Sequence, residues 1–300
     1  MLKKSIITTI TIVCSTIITF AQTDKKNTIT TMNLQGNVSS LETKVYDAKV
    51  VDGNIEQGDI KRSFVYSFFA DGNLKEQQTI ANNGVLLRKY VYQYDAQGRE
   101  ILKLWYNNKQ LNQSIVSTYK DDLLSTCVTK DINNQLIDSI IYTYNSGILI
   151  QEENFYVQQG ELLSKKIDYT FNNGLLIAKK MENIDLLQLQ YNDKKQIIKE
   201  KQCNTQGESI FIYEYNYDNQ GNIVTKNSLR DNGELRRKFV YEYDKYGNVT
   251  SEKWLDSGGM QLYQQTYKYS YDDYGNWIVR TTYQNPEQAT EMQVRIINYY

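Results

Sequence analysis

One unit recurs along most of this 300-residue chain, and its clearest copy is Tyr241-Glu242-Tyr243-Asp244-Lys245-Tyr246-Gly247-Asn248. An anchor aromatic stands just before each copy of the turn: Phe68, Tyr94, Tyr119, Tyr144, Phe171, Tyr191, Tyr217, Tyr243 and Tyr271. The spacings are 26, 25, 25, 27, 20, 26, 26 and 28 residues, so the period is about 26 with one shortened unit before Tyr191. Self-similarity at such a period marks a repeat architecture in which each period is one supersecondary unit.

The residues before each anchor identify the unit. Positions −4, −2 and 0 lie on the same face of a strand, and they read Tyr90/Tyr92/Tyr94, Tyr213/Tyr215/Tyr217, Phe239/Tyr241/Tyr243 and Tyr267/Tyr269/Tyr271, with Ile115/Ser117/Tyr119 the weakest. Between them stand polar residues such as Lys89, Gln93, Glu214, Asn216, Lys238 and Glu242. Each period is therefore a hairpin with one aromatic and one wet face. Ahead of the series, Ser39 to Val51 alternates in the same way.

In the turns after Tyr94, Tyr217, Tyr243 and Tyr271 an aspartate sits three residues before a glycine. Asp opening a type I turn accepts backbone N–H bonds, and Gly closing it takes the left-handed conformation of a G1 bulge. A second turn follows half a period later at Asn83-Gly84, Gln159-Gly160, Gln206-Gly207, Asn232-Gly233 and Ser257-Gly258-Gly259. Strands of about 8 residues result. Roughly 18 of them at about 4.8 Å would make a flat sheet near 90 Å wide, yet open twisted sheets seldom exceed about 10 strands. The expected fold is all-β: an antiparallel hairpin array of about nine units, curled into a spiral, a flattened barrel or an open shell.

The N-terminus reads as a secretory signal over residues 1–21, with Lys3 and Lys4, an apolar run Ile6 to Phe20 and the small-x-small site Thr19-Phe20-Ala21. Residues 22–33 read as a polar, disordered leader, and 34–300 as a single β domain. Taking Lys3 and Lys4 away shifts the formal net charge from −1 to −3, so nothing draws the chain to nucleic acid. Cys127 and Cys203 lie about three units apart and read as isolated thiols rather than a bridge.

The Y-x-Y-D-x-x-G-N core at 215–222, 241–248 and 269–276 resembles the YD repeat of Rhs-type secreted proteins, and Tyr92 to Gly98 matches it well. The match is degenerate at Tyr119, Tyr144 and Tyr191. The resemblance covers roughly residues 60 to 300, and the whole chain is similar to small signal-bearing repeat proteins of the Bacteroidetes type. It implies a curled β shell and an exported location: periplasm, cell surface or extracellular space. No toxin domain or aspartyl self-cleavage motif is recognisable, so the delivery function of large Rhs proteins is not implied.

For function, the sequence offers surfaces rather than chemistry. It contains no histidine, which removes the usual base and the commonest metal ligand. No catalytic residues, metal ligands or cofactors are assigned. The turn aspartates lack the alternating pattern of a calcium loop, and adjacent carboxylates such as Glu152-Glu153 face opposite sides of a strand. Stacked tyrosines fit core packing or a sugar-binding wall. Trp105, Trp254 and Trp277, which follow YD-type turns, and Tyr246 and Tyr274 within them, are the candidate ligand-binding residues. The expectation is a non-enzymatic exported scaffold that binds a glycan or an envelope protein; a carbohydrate-active enzyme and an outer-membrane barrel are the alternatives. Membrane integration is not expected, because Arg237 and Lys165 fall on the aromatic face while the opposite face is also charged.

Overall fold

The computed structural model describes residues 28–284 and 288–300; the expected signal segment lies outside them. A helical turn α1 (Thr28–Thr31) precedes twenty strands: β1 (Val38–Val51), β2 (Asn54–Phe68), β3 (Leu74–Ala81), β4 (Leu86–Tyr94), β5 (Glu100–Asn107), β6 (Gln110–Lys120), β7 (Leu123–Asp131), β8 (Leu136–Asn145), β9 (Ile148–Gln158), β10 (Glu161–Asn172), β11 (Leu175–Met181), β12 (Ile184–Tyr191), β13 (Ile197–Cys203), β14 (Ser209–Tyr217), β15 (Ile223–Leu229), β16 (Leu235–Tyr243), β17 (Val249–Asp256), β18 (Gln261–Tyr271), β19 (Trp277–Gln284) and β20 (Gln288–Tyr299). Each strand pairs antiparallel with the next, and β20 pairs with β1. The sheet is thus a closed up-and-down barrel, which corrects the open-shell and spiral alternatives. The physical reason is edge removal: closure leaves no row of unpaired backbone groups.

The count of twenty also exceeds the sequence expectation. Every even strand up to β18 ends on one of the nine anchors or, in β6, β8 and β10, one residue beyond it, and β20 supplies a tenth, Tyr299. Its triplet is Arg295/Ile297/Tyr299, which lacks the tyrosine signature. The turn that should follow is assembled from both ends of the sheet. Tyr300 N–H donates to the Asn37 carbonyl at 2.9 Å, the bond that Asp272 N–H makes to Asn276 in an intact turn. Gly36, at φ +81°, occupies the place of Gly275, at φ +86°. One repeat split between residues 34–38 and 299–300 closes the ring.

Turn chemistry explains where the motif fades. In the intact turns, Asp95, Asp218, Asp244 and Asp272 each accept N–H bonds from the residues two and four further on. After Tyr119 and Tyr144 the chain instead turns in two residues, with both φ positive at Asp121/Asp122 and Ser146/Gly147. These are hairpin turns of the primed kind, matched to strand twist, and they leave no position for the Asp-x-x-Gly frame. After Tyr191, Asn192 and Lys195 replace Asp and Gly in an otherwise unchanged turn.

Anchor hydroxyls cap the bulges that follow these turns. Tyr94 donates to the Leu74 carbonyl at 2.9 Å, Tyr217 to Ile197 at 2.6 Å, and Tyr243 to Ile223 at 2.8 Å. Each acceptor begins a strand at a register shift, where a bulge leaves a ladder group unpaired. Tyrosine rather than phenylalanine is thus favoured at the anchor.

A ring of 20 strands at about 4.8 Å spacing is at least about 30 Å across, too wide for side chains on opposite walls to meet. Substantial packing runs only between hydrogen-bonded neighbours. Strands β5, β7 and β15 are half-buried along nearly their whole length rather than alternating buried and exposed. Among the described residues neither face carries a second layer, so the wall they form encloses a hollow. The exception is the seam. Ile29 and Leu34 pack on Val38, Leu41, Phe68 and Leu74 in the principal buried cluster, with Tyr66, Tyr92, Ile297 and Tyr299 against it. Residues 28–33, assigned to the disordered leader by sequence, are part of this seal. Cys127, on β7, and Cys203, on β13, are not bridged to each other.

Candidate functional site

Cross-strand register puts the −4/−2/0 positions of every even strand on one face, the tyrosine face, together with Lys103 and Trp105 of β5, Lys226 of β15, Glu252 and Trp254 of β17, Arg280 of β19 and Arg295 of β20. Near the turns this face is the better covered: Tyr142 is 8% exposed, whereas its neighbour Ile141 is 44% exposed. Burial pushes the phenols of Tyr119, Tyr241 and Tyr267 up to about 12, and nearby carboxylates add to the effect. The phenols stay neutral donors across the physiological range.

The face is a wall of rings with cations parked on them. Lys103 Nζ lies 5.0 Å from the Tyr90 ring centre and 5.6 Å from that of Tyr92, and Lys226 Nζ lies 3.8 Å from Tyr213. Such placements are attractive through the ring quadrupole. Carboxylates on β9, β13 and β17 are engaged as acceptors: Glu152 from Tyr169 at 2.7 Å, Glu200 from Tyr215 at 2.9 Å, and Glu252 from Trp254 Nε1 at 2.6 Å. Glu100 sits deeper, and burial pushes its carboxyl up while Lys103 partly opposes the shift.

Four of the five sequence candidates gather on β16 to β20. Trp254 packs against Phe239 at 5.5 Å and Tyr263 at 4.7 Å, with Arg237 over its ring. Trp277 meets Tyr269 edge-on at 6.2 Å and carries the Arg295 guanidinium 3.4 Å from its ring centre. Tyr246 stacks on the next anchor, Tyr271, at 4.3 Å, and Tyr274 on Tyr299 at 4.2 Å. These two are therefore clasps between successive turns as well as partly exposed rings. Trp105 stands apart on β5, stacked with Tyr90 at 6.5 Å, its Nε1 buried without a partner among the described residues. Sequence reasoning missed Arg280 and Arg295. The signal was the unrecognised tenth unit, whose −4 position is Arg295.

The clasp has an electrostatic part. Tyr271 donates to Asp244, and Tyr299 donates to Asp272 at 2.5 Å. Burial works to raise the Asp244 carboxyl, but bonds from Tyr271, Asn248 and the Tyr246 N–H outweigh it and hold it below the usual range.

A hollow of about 330 Å³ lies by the β15–β16 turn and is bordered by Phe211, Tyr213, Arg230 and Arg236.

No protein-family model matches the chain, and no curated protein matches it. Among solved structures it is similar to a porin-like protein from Bacteroides uniformis, with 11% identity over 88% of this chain and 99% of that one at a TM-score of 0.39. A porin-like protein from Bacteroides vulgatus matches with 11% identity over 88% of this chain and 98% of that one, at 0.30. The Photorhabdus luminescens Tc holotoxin pore matches with 12% identity over 85% of this chain but 19% of that one, at 0.26. At these scores the superpositions are loose, and the closed antiparallel barrel rests on the strand pairing itself.

Proposed function

We propose that the protein is an exported, non-enzymatic barrel that binds a glycan on its tyrosine face. The observation that carries this reading is the aromatic wall from β14 to β19, where Tyr213, Tyr215, Tyr267, Tyr269, Trp254 and Trp277 are half-exposed with no second layer over them among the described residues. Rings with hydroxyl and N–H tips offer flat apolar area plus hydrogen bonds, which suits the apolar faces and hydroxyl edges of sugars. The reading is non-enzymatic because the half-buried carboxylates Glu152, Glu200 and Glu252 already accept bonds from neighbouring donors. Titration of the protein spanning residues 22–300 against an oligosaccharide panel tests it. Saturable binding weakened by Trp254→Ala or Trp277→Ala is expected; no saturable binding to any member of the panel overturns it.

A second reading has a specific observation behind it: an even-numbered closed antiparallel ring is the architecture of outer-membrane barrels. Composition of the wall argues against lipid contact. Lys199, Lys201, Lys253 and Lys268 lie on the face opposite the tyrosines, and Lys103, Lys226, Arg280 and Arg295 on the tyrosine face. A basic residue facing lipid at mid-depth costs about 2–4 kcal/mol. Release by alkaline carbonate is expected, and retention with the membrane fraction would favour the barrel as an integral protein.

A further inference from the structure

On the tyrosine face Lys165, Lys179, Lys226 and Arg237 each lie over an aromatic ring, and next to the seam two arginines crowd together on one ring. Arg280 and Arg295 are diagonal neighbours on β19 and β20, since Arg280 pairs with Gln293. Both guanidinium groups approach the Trp277 ring, at 5.6 and 3.4 Å from its centre, and Arg280 also lies 5.5 Å from that of Tyr267. Burial raises the phenols of Tyr269 and Tyr66, and the charge of Arg280 on the first and of Arg295 on the second opposes the rise. Neither arginine has a carboxylate within salt-bridge distance among the described residues. The Nε of each is buried with no hydrogen-bond partner among those residues. Glu291, on the same face, is turned to Gln293, whose Nε2 donates to it at 2.8 Å.

Two adjacent guanidinium groups withdrawn from water without a counter-ion are destabilising. Burial, and then the neighbouring Arg280, bring the Arg295 guanidinium down to about 10. The side chains remain half-exposed, so an anion can reach them. Arginine is the side chain whose planar fork matches a carboxylate or sulfate, and the rings around it supply a floor on which a sugar stacks.

We propose that Arg280 and Arg295 form an oxyanion subsite on the tyrosine face, with Trp277 as its floor, that takes the charged group of an acidic saccharide. The inference rests on the glycan reading above and adds a substrate class to it.

Calorimetric titration with oligogalacturonate, with an uncharged galactose oligomer of equal length and with inorganic sulfate tests it on the wild type, Arg280→Gln and Arg295→Gln. The wild type is expected to bind the charged oligomer at least tenfold more tightly than the neutral one, sulfate is expected to compete, and either variant is expected to lose the difference. Sulfate is also expected to raise the melting temperature of the wild type and not that of Arg280→Gln. Equal binding of charged and neutral oligomers, or a preference unchanged in both variants, overturns the subsite and leaves the glycan reading standing. Sulfate binding that both variants lose, with no saccharide bound, supports the anion site and defeats the glycan reading. Absence of both sulfate and oligogalacturonate binding overturns the subsite. Should an Arg→Gln variant not fold, the wild-type preference between charged and neutral oligomers decides.

Discussion

The seam and the wall of this barrel are made of the same strands and held together differently. At the seam, Val38 and Leu41 from ahead of the repeat series bury completely against its first anchor: Val38 is 0% exposed, Leu41 1% and Phe68 2%. Along the wall from β5 to β16, burial of this kind is confined to scattered residues such as Leu149 and Ile212, and order comes from ladder bonds, stacked rings and tyrosine hydroxyls on bulge carbonyls. A repeat without a core has to close on itself to lose its edges, and the closing junction is where a core was added.

The largest expected effect separates the two regions by pH. Tyr119, Tyr241, Tyr267 and Tyr299 have phenols raised to about 12, mainly by burial, against about 10 in an unfolded chain. Between these values the unfolded state has lost protons that the folded state keeps, so stability present below pH 10 is lost as pH rises toward 12. Arg295, with its folded value depressed, acts in the opposite sense but is one group against four. Cooperative unfolding in that window, with phenolate absorbance rising together with loss of β signal, is expected. Phenolate appearing well before the β signal falls would show that the rings are not held in the wall.

Next in size is Leu41→Ala, which removes a fully buried side chain from the seam and should cost about 2–5 kcal/mol in urea unfolding. The same change at Leu189, half-buried on the wall, should cost about 1 kcal/mol. Equal losses would erase the distinction between the regions. Glycine exchange sharpens it further. Gly36 and Gly147 both have left-handed backbones, at φ +81° and +80°, so alanine costs about 1–2 kcal/mol at either. Only at Gly36 would the added carbon meet rings, Tyr274 at 2.9 Å and Tyr299 at 3.0 Å, whereas Gly147 has open space. Gly36→Ala should therefore be the more destabilising of the two. Smallest is Tyr217→Phe, which strips one hydroxyl from the Ile197 carbonyl at a cost of about 1 kcal/mol. An unchanged midpoint would mean that the bulge carbonyl is satisfied by water instead.

Much of the wall was legible in the sequence because its two signals are local. Alternation fixed the tyrosine face, and Asp-x-x-Gly fixed the four-residue turns at Asp95, Asp218, Asp244 and Asp272. Closure was not legible, since it depends on pairing β1 with β20 across the whole chain and on a turn whose halves are Gly36-Asn37 and Tyr299-Tyr300. Residues 28–33 read as leader because their polar composition hides Ile29, which acts only once Phe68 and Leu74 are beside it. Of the candidate site, the tryptophans were visible by residue type. The arginines were not, because nothing local shows that a charge will lack a partner on a neighbouring strand.

The three tryptophans all stand on the tyrosine face, so their accessibility reports directly on whether that face is an open surface. Acrylamide quenching of tryptophan emission in the native protein, compared with the urea-unfolded chain and repeated with saturating oligosaccharide, is the decisive measurement. Substantial quenching in the native state that the oligosaccharide suppresses is the expected result. Native emission that resists quenching to the degree of a sealed core would contradict the hollow, solvated wall.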